Sequence, residues 1–179
     1  LQKKLYKLTS VPVWDYMSGS YAVDEIEESV DVVTSTKDMS KTDMLDSLMF
    51  NWFIQTFHIN GLTTYISRFI NKKLGIDYSE FYDKLDTFLK QDEWFENERR
   101  EVYGYYSNWM TQGRINHPSI YGIEVHGWNV SHRTTLNMHG MRKYEHVFDL
   151  IDRFVRETFK LEGDQLEQLL KFQRNYVID

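Results

Sequence analysis

The feature that most constrains this chain is a helical stripe near its middle. Met44, Leu45, Leu48, Met49, Trp52, Phe53, Thr56 and Phe57 recur at i, i+1, i+4 and i+5. That spacing puts all eight on one face of a helix roughly four turns long. Ser40 followed by Asp43 resembles a capping box, with Asp in place of Glu or Gln, and Asn60-Gly61 supplies the stop. A period of 3.6 held this long demands a partner surface, so the chain must build a core from packed helices.

The same period returns four more times before the C-terminal tail. It predicts helices over about 62–74 (Leu62, Tyr65, Ile66, Phe69 and Ile70 inward), 79–90 (Phe81, Tyr82, Leu85, Phe88, Leu89) and 93–111 (Trp94, Phe95, Val102, Tyr105, Tyr106, Trp109). A fifth spans about 141–159 (Tyr144, Val147, Phe148, Ile151, Phe154, Val155). Gly163-Asp164 then restarts the chain into a sixth, with Leu166, Leu169, Leu170 and Phe172 inward. Gly75 and Gly113 stand where C-terminal caps are needed. Residues 1–39 read as an irregular lead-in: a short helix from Leu1 to Leu8, an extended Val11-Pro12-Val13, and a strand over Ser29–Thr36. Residues 114–140 show no helical period. Tyr121, Ile123 and Val125 alternate with Gly122, Glu124 and His126, as in a short strand. The expected fold is one mainly α domain over 1–179, about six helices in an antiparallel, bundle-like array with one or two short β-strands.

Composition narrows the function. The chain has 179 residues, 41% hydrophobic and 27% charged, which excludes disorder as its main description. Aromatics reach 16% beside a single alanine, Ala22, so rings rather than small residues must fill the core. The net charge of −6 and the lack of a basic stripe exclude a duplex nucleic-acid partner. No apolar run approaches the ~20 residues of a membrane span. Cysteine is absent, which removes disulfides, thiolate metal sites and a Cys nucleophile. With no signal or transit segment, the expected location is cytoplasmic. Gly-rich phosphate loops, G-x-S-x-G and H-E-x-x-H are missing. The start at Leu1 predicts a piece of a longer protein.

Two constellations carry polar chemistry. His117, His126, His132, His139 and His146 crowd the irregular segment with Glu124 and Glu145, as an imidazole-based metal site would need, although their gaps match no sharp motif. Surface or hydrogen-bonded histidines are the simpler account. Within this group Glu124, His126 and Trp128 alternate on one face of the expected strand, and His132-Arg133 follow. A carboxylate orienting an imidazole beside an aromatic ring is a substrate-binding arrangement, so these five residues form the expected substrate site. No residue is expected to be catalytic, and no metal ligand is assigned. His58 reads as a helix C-terminal cation, and Glu93–Glu101 as a solvated helix face.

A resemblance adds to this reading. Val33-Thr34-Ser35-Thr36-Lys37-Asp38-Met39-Ser40, running into Met49-Phe50-Asn51-Trp52-Phe53-Ile54-Gln55-Thr56-Phe57-His58, resembles the region after the catalytic barrel in cobalamin-binding radical SAM enzymes. The tail Leu169-Leu170-Lys171-Phe172-Gln173-Arg174-Asn175-Tyr176-Val177-Ile178-Asp179 is similar to a C-terminal segment of that group. The resemblance implies a noncatalytic C-terminal accessory domain, a lid or a substrate-positioning element. Its partner would be an upstream catalytic domain of the same chain. That domain would hold a [4Fe–4S] cluster on a C-x-x-x-C-x-x-C loop, S-adenosylmethionine and, in these members, cobalamin. Two other readings stay open: a free-standing helical interaction module, and a small His-based metalloprotein.

Overall fold

A computed structural model describes residues 2–14, 29–113, 119–120, 123–124, 130–141 and 143–178. The chain is mainly α. The described elements are α1 (Gln2–Leu5), β1 (Thr9–Trp14), β2 (Ser29–Ser35), α2 (Lys41–Ile54), a π-helical turn (Gln55–Ile59), α3 (Thr64–Leu74), α4 (Tyr78–Leu89) and α5 (Glu93–Gln112). There follow β3 (Ser119–Ile120), β4 (Ile123–Glu124), α6 (Val130–Gly140), α7 (Tyr144–Phe159) and α8 (Asp164–Ile178). None of the described helices is long and apolar enough to cross a membrane.

The fold divides into two compact units, residues 1–51 with 99–129, and 52–98 with 130–179. The divisions fall inside α2 and α5. In the first unit β1 pairs antiparallel with β2, Val11 opposite Val32 and Pro12 opposite Asp31. Two-residue β3 and β4 form a second antiparallel pair, with Ser119 opposite Glu124. The capping box at α2 is realised. Asp43 N–H donates to Ser40 Oγ at 3.1 Å and Ser40 N–H to Asp43 Oδ2 at 2.9 Å. Gly113 ends α5 at φ +65°, where a Cβ would stand 1.9 Å from the Pro12 carbonyl oxygen. Glycine is required there both by backbone angle and by space.

The second unit holds most of the buried core. The aromatic load expected from composition is spent here: Trp52 stacks on Phe95 at 5.8 Å, Phe57 meets Phe95 at 5.7 Å, and Phe81 meets Phe154 at 5.5 Å. These are offset and edge-on geometries that aromatic quadrupoles favour. Helix α7 buries Val147, Phe148, Leu150, Ile151, Phe154 and Val155 on one face.

Three expectations fail. The stretch 114–140 is not irregular throughout, because α6 occupies its C-terminal part. The buried positions of α6 are Val130, Ser131, Thr134, Asn137 and Met138, at i, i+1, i+4, i+7 and i+8. That is helical spacing, but three of the five side chains are polar, so hydrophobicity concealed it. Phe172 was expected inward, yet it is 52% exposed, and Gln173 takes the buried position. Glu98 was expected on a solvated face of α5, yet it is 6% exposed.

Candidate functional site

The π-turn is the structural centre of the polar chemistry in the second unit. Its i→i−5 bonding is seen where Asn60 N–H donates to the Gln55 carbonyl at 2.9 Å. Such turns widen the helix and leave carbonyls for other donors, and they recur at functional sites. Here the Phe57 carbonyl accepts from Thr63 N–H at 2.7 Å and from Thr63 Oγ1 at 2.8 Å. The His58 carbonyl accepts from Gly61 N–H and from the Thr64 hydroxyl. Two networks leave this turn in different directions.

The first network explains why α6 buries polar side chains. Glu98 on α5 is a buried carboxylate, and a buried charge is tolerated only when paired and fully hydrogen-bonded. Arg133 Nη1 donates to Glu98 Oε1 at 3.1 Å, and Asn137 Nδ2 lies 3.3 Å from both carboxylate oxygens. The Thr134 hydroxyl donates to Glu98 Oε1 at 2.9 Å and accepts from Trp52 Nε1 at 3.0 Å. Residues 133, 134 and 137 are one helical turn of α6 closed around a single carboxylate. Nearer the turn, the Ser131 hydroxyl lies 3.5 Å from Gln55 Oε1, and Asn60 Nδ2 donates to Thr135 Oγ1 at 2.9 Å. Arg133 Nε is buried and has no hydrogen-bond partner among the described residues. It is the one buried side-chain polar atom left unsatisfied among the described residues.

The second network lies around His58. Its Nδ1 is 2.6 Å from the Tyr82 hydroxyl, which also lies 3.2 Å from Thr63 Oγ1 and 3.2 Å from Ser67 Oγ. Burial holds the His58 imidazole below its ordinary pKa, and the nearby Arg68 charge acts in the same direction. Burial pushes the Tyr82 phenol up, opposed by its bonds to Ser67 and Thr63. Sequence reading gave His58 a capping role only; the side chain has this partner as well.

Of the five expected substrate-site residues, the structure describes two side chains. His132 and Arg133 are adjacent on α6: His132 is exposed, and Arg133 is engaged with Glu98. Glu124 is the last residue of β4, while His126 and Trp128 lie outside the described residues, as does His117. His139 is exposed, and His146 Nε2 lies 2.7 Å from Asp92 Oδ2. Among the described residues no group of three or more His, Asp or Glu could hold a metal ion.

A groove of about 250 Å³ opens between α3, α7 and α8. Ile66, Phe148 and Leu170 line it with apolar surface, and Asp152, Glu167 and Arg174 with charge. Lys171 lines it too; Asp152, Glu167 and Arg174 are already engaged, Arg156 bridging Asp152 and Glu167 and Arg174 bridging Glu145 and Asp149. Sequence reading missed Glu98 and Trp52 as polar participants. The signal that could have found them is the i, i+3, i+6 spacing of the polar residues Ser131, Thr134 and Asn137 between Val130 and Met138.

No family model matches the chain. It is 30% identical over 84 residues to the 2-(S-pantetheinyl)-carbapenam-3-carboxylate methyltransferase of Streptantibioticus cattleyicolor, a stretch covering 47% of this chain and 12% of that protein. It is 29% identical, over the same shares, to the cobalamin-dependent radical SAM methyltransferase TokK of Streptomyces tokunonensis. The matched stretch is thus about an eighth of the length of either relative.

Proposed function

We propose that these 179 residues are a noncatalytic accessory part of a cobalamin-dependent radical SAM methyltransferase, helping to bind or position its substrate. The observation that carries this reading is the 84-residue similarity to two methyltransferases in a chain without a cysteine. A cluster held by C-x-x-x-C-x-x-C needs three thiolates, and this donor set has none. The residues here therefore do not fit that cluster. The cluster, S-adenosylmethionine and cobalamin belong to another part of the polypeptide in this reading, and no chemical step runs through the present residues.

Their work is shape and hydrogen bonding. Glu98 fixes Arg133 on α6, whose buried Nε has no partner among the described residues, and His132 stands beside it on the exposed side. Glu124, His126 and Trp128 precede α6 in the chain and complete the proposed substrate-binding set.

The test begins with the parent gene. Its reading frame should encode a C-x-x-x-C-x-x-C loop upstream of Leu1, and a frame lacking one overturns the proposal. In the reconstituted parent, deleting residues 1–179 should abolish methyl transfer while the iron–sulfur absorbance and reductive cleavage of S-adenosylmethionine persist. In the intact parent, Arg133→Lys should raise the substrate KM about tenfold or more with little change in kcat, as expected when one charge-assisted hydrogen bond is lost.

A second reading, an interaction module, has one observation in its favour. Tyr65, Phe172 and Tyr176 form an aromatic group with ring centroids 5.0 Å from Tyr65, and Phe172 and Tyr176 are 52% and 54% exposed.

A further inference from the structure

We propose that His58 is locked by Tyr82 in its Nδ1–H tautomer and so presents Nε2 as a proton acceptor for a neutral ligand group bearing a hydroxyl or amide N–H. The Thr63 hydroxyl spends its proton on the Phe57 carbonyl at 2.8 Å, and the Ser67 hydroxyl spends its own on the Thr64 carbonyl at 3.0 Å. With both protons placed on those carbonyls, neither hydroxyl donates to Tyr82. The phenol has one proton and three neighbours: His58 Nδ1 at 2.6 Å, Thr63 Oγ1 at 3.2 Å and Ser67 Oγ at 3.2 Å.

If that proton went to Nδ1, both hydroxyl oxygens would face the phenol oxygen lone pair to lone pair, in a buried site. If it is shared by the two hydroxyls, Nδ1 must be the donor, and every group is satisfied. The tautomer follows from the partners, as it must for a histidine. Nε2 is left with its lone pair and no partner among the described residues, on a half-buried ring.

The surroundings select the ligand. Tyr78, 42% exposed, meets the His58 ring edge-on at 6.0 Å and offers an aromatic wall. The Arg68 guanidinium, whose field already disfavours protonation of the ring, works against an ammonium ligand. A neutral donor is what remains. The setting on a π-turn is an independent mark, since these turns are built at a cost in regular bonding.

The test uses this chain as it is. Long-range proton–nitrogen correlation of the histidine rings at neutral pH should show His58 protonated at Nδ1; a pattern protonated at Nε2 overturns the proposal. Tyr82→Phe should move His58 toward the Nε2–H form that free histidine favours, and an unchanged tautomer in that variant also overturns it.

Diethyl pyrocarbonate then reads the lone pair. Nε2 bonds to a carbonyl carbon, ethyl carbonate leaves and takes up the Nδ1 proton, and it decays to ethanol and carbon dioxide. Peptide mapping should find His58 carbethoxylated alongside the exposed His132 and His139. Modification of those two without His58 shows Nε2 to be inaccessible and ends the idea. His58→Asn keeps a donor toward Tyr82, so it should keep the Tm while losing the modification; a collapse of Tm would show that the ring is there for packing.

Discussion

Helices α6 and α7 are neighbours in sequence and opposites in chemistry. Helix α7 buries six apolar side chains and carries its charges outside, where Arg156 pairs with Asp152 and Arg153 with Glu157. Helix α6 buries Ser131, Thr134 and Asn137 between Val130 and Met138, and turns Leu136 outward at 44% exposure. The difference teaches what holds each in place. Helix α7 is held by area removed from water, which is non-directional and tolerates repacking. Helix α6 is held by the needs of one carboxylate, which are directional and all-or-none.

Substitutions can break that contrast. Phe154→Ala should cost about 3–5 kcal/mol of stability, the range for a fully buried ring. Glu98→Ala should cost a similar amount, about 3–5 kcal/mol, because it leaves Arg133 charged and largely buried; its 14% exposure places the loss toward the lower end. The two losses differ in how they are repaired. Glu98→Leu combined with Arg133→Met should recover much of the second, because the pair vanishes with its desolvation cost. Denaturant unfolding of the single and double variants measures this. A double variant no better than Glu98→Ala would show that the Thr134 and Asn137 bonds, not the charge, dominate.

A smaller effect sharpens the same point. Thr134→Val keeps the side-chain volume but removes the acceptor for Trp52 Nε1 and a donor to Glu98. The expected loss is about 1–3 kcal/mol, the cost of leaving buried polar groups unsatisfied. In α7 a like-sized change, Ile151→Val, should cost about 1 kcal/mol. If the two variants unfold alike, α6 is held by area after all.

Stability against pH offers a third comparison, between His58 in the second unit and Tyr106 in the first. The folded chain holds His58 below 6.5, so the unfolded chain binds its proton first as pH falls. That contribution is present above pH 6.5 and is lost below it, toward the folded value. His58→Asn should flatten this part of the Tm profile. Burial pushes the Tyr106 phenol up from 10.0 to about 12, with Tyr105 adding to it. The unfolded chain then loses its proton first, so stability is full below pH 10.0 and declines toward about 12. Tyr106→Phe should remove that decline. Swapped assignments, with either variant flattening the other's window, would contradict the burial of both rings.

What could be read from the sequence follows the same division. The α2 stripe, the Gly75 and Gly113 caps and the buried face of α7 were legible because apolar periodicity and backbone angle are local signals. Helix α6 was not, since Thr134 and Asn137 look like loop residues until Glu98, 36 and 39 positions away, is placed beside them. Phe172 misled for a related reason. Gln173 is the residue buried there, donating to the Gly61 carbonyl and accepting from Tyr65 N–H at 2.8 Å, and no periodicity announces a partner so distant. His58 was visible as a residue but not as a site, because its role depends on three hydroxyls, Tyr82 of α4, Ser67 of α3 and Thr63 just before α3.

The capping box at α2 gives the smallest expected effect and tests the local end of this contrast. Both of its bonds are made within four residues, so nothing distant is required to form it. Ser40→Ala should cost about 1 kcal/mol, and Ser40→Asn much less, because Asn can also accept from the first-turn N–H groups. The bond from Ser40 holds the Asp43 carboxyl below its usual 3.8. Its support is therefore present above that pH and is lost as pH falls through the folded value. The loss should be the same in a Glu98→Ala background, since the two sites share no hydrogen-bond partner among the described residues and independent sites add. A Ser40→Ala effect that disappears in that background would mean that α2 folds only after α6 has closed on Glu98, and that its first turn owes its stability to tertiary packing rather than to its own cap.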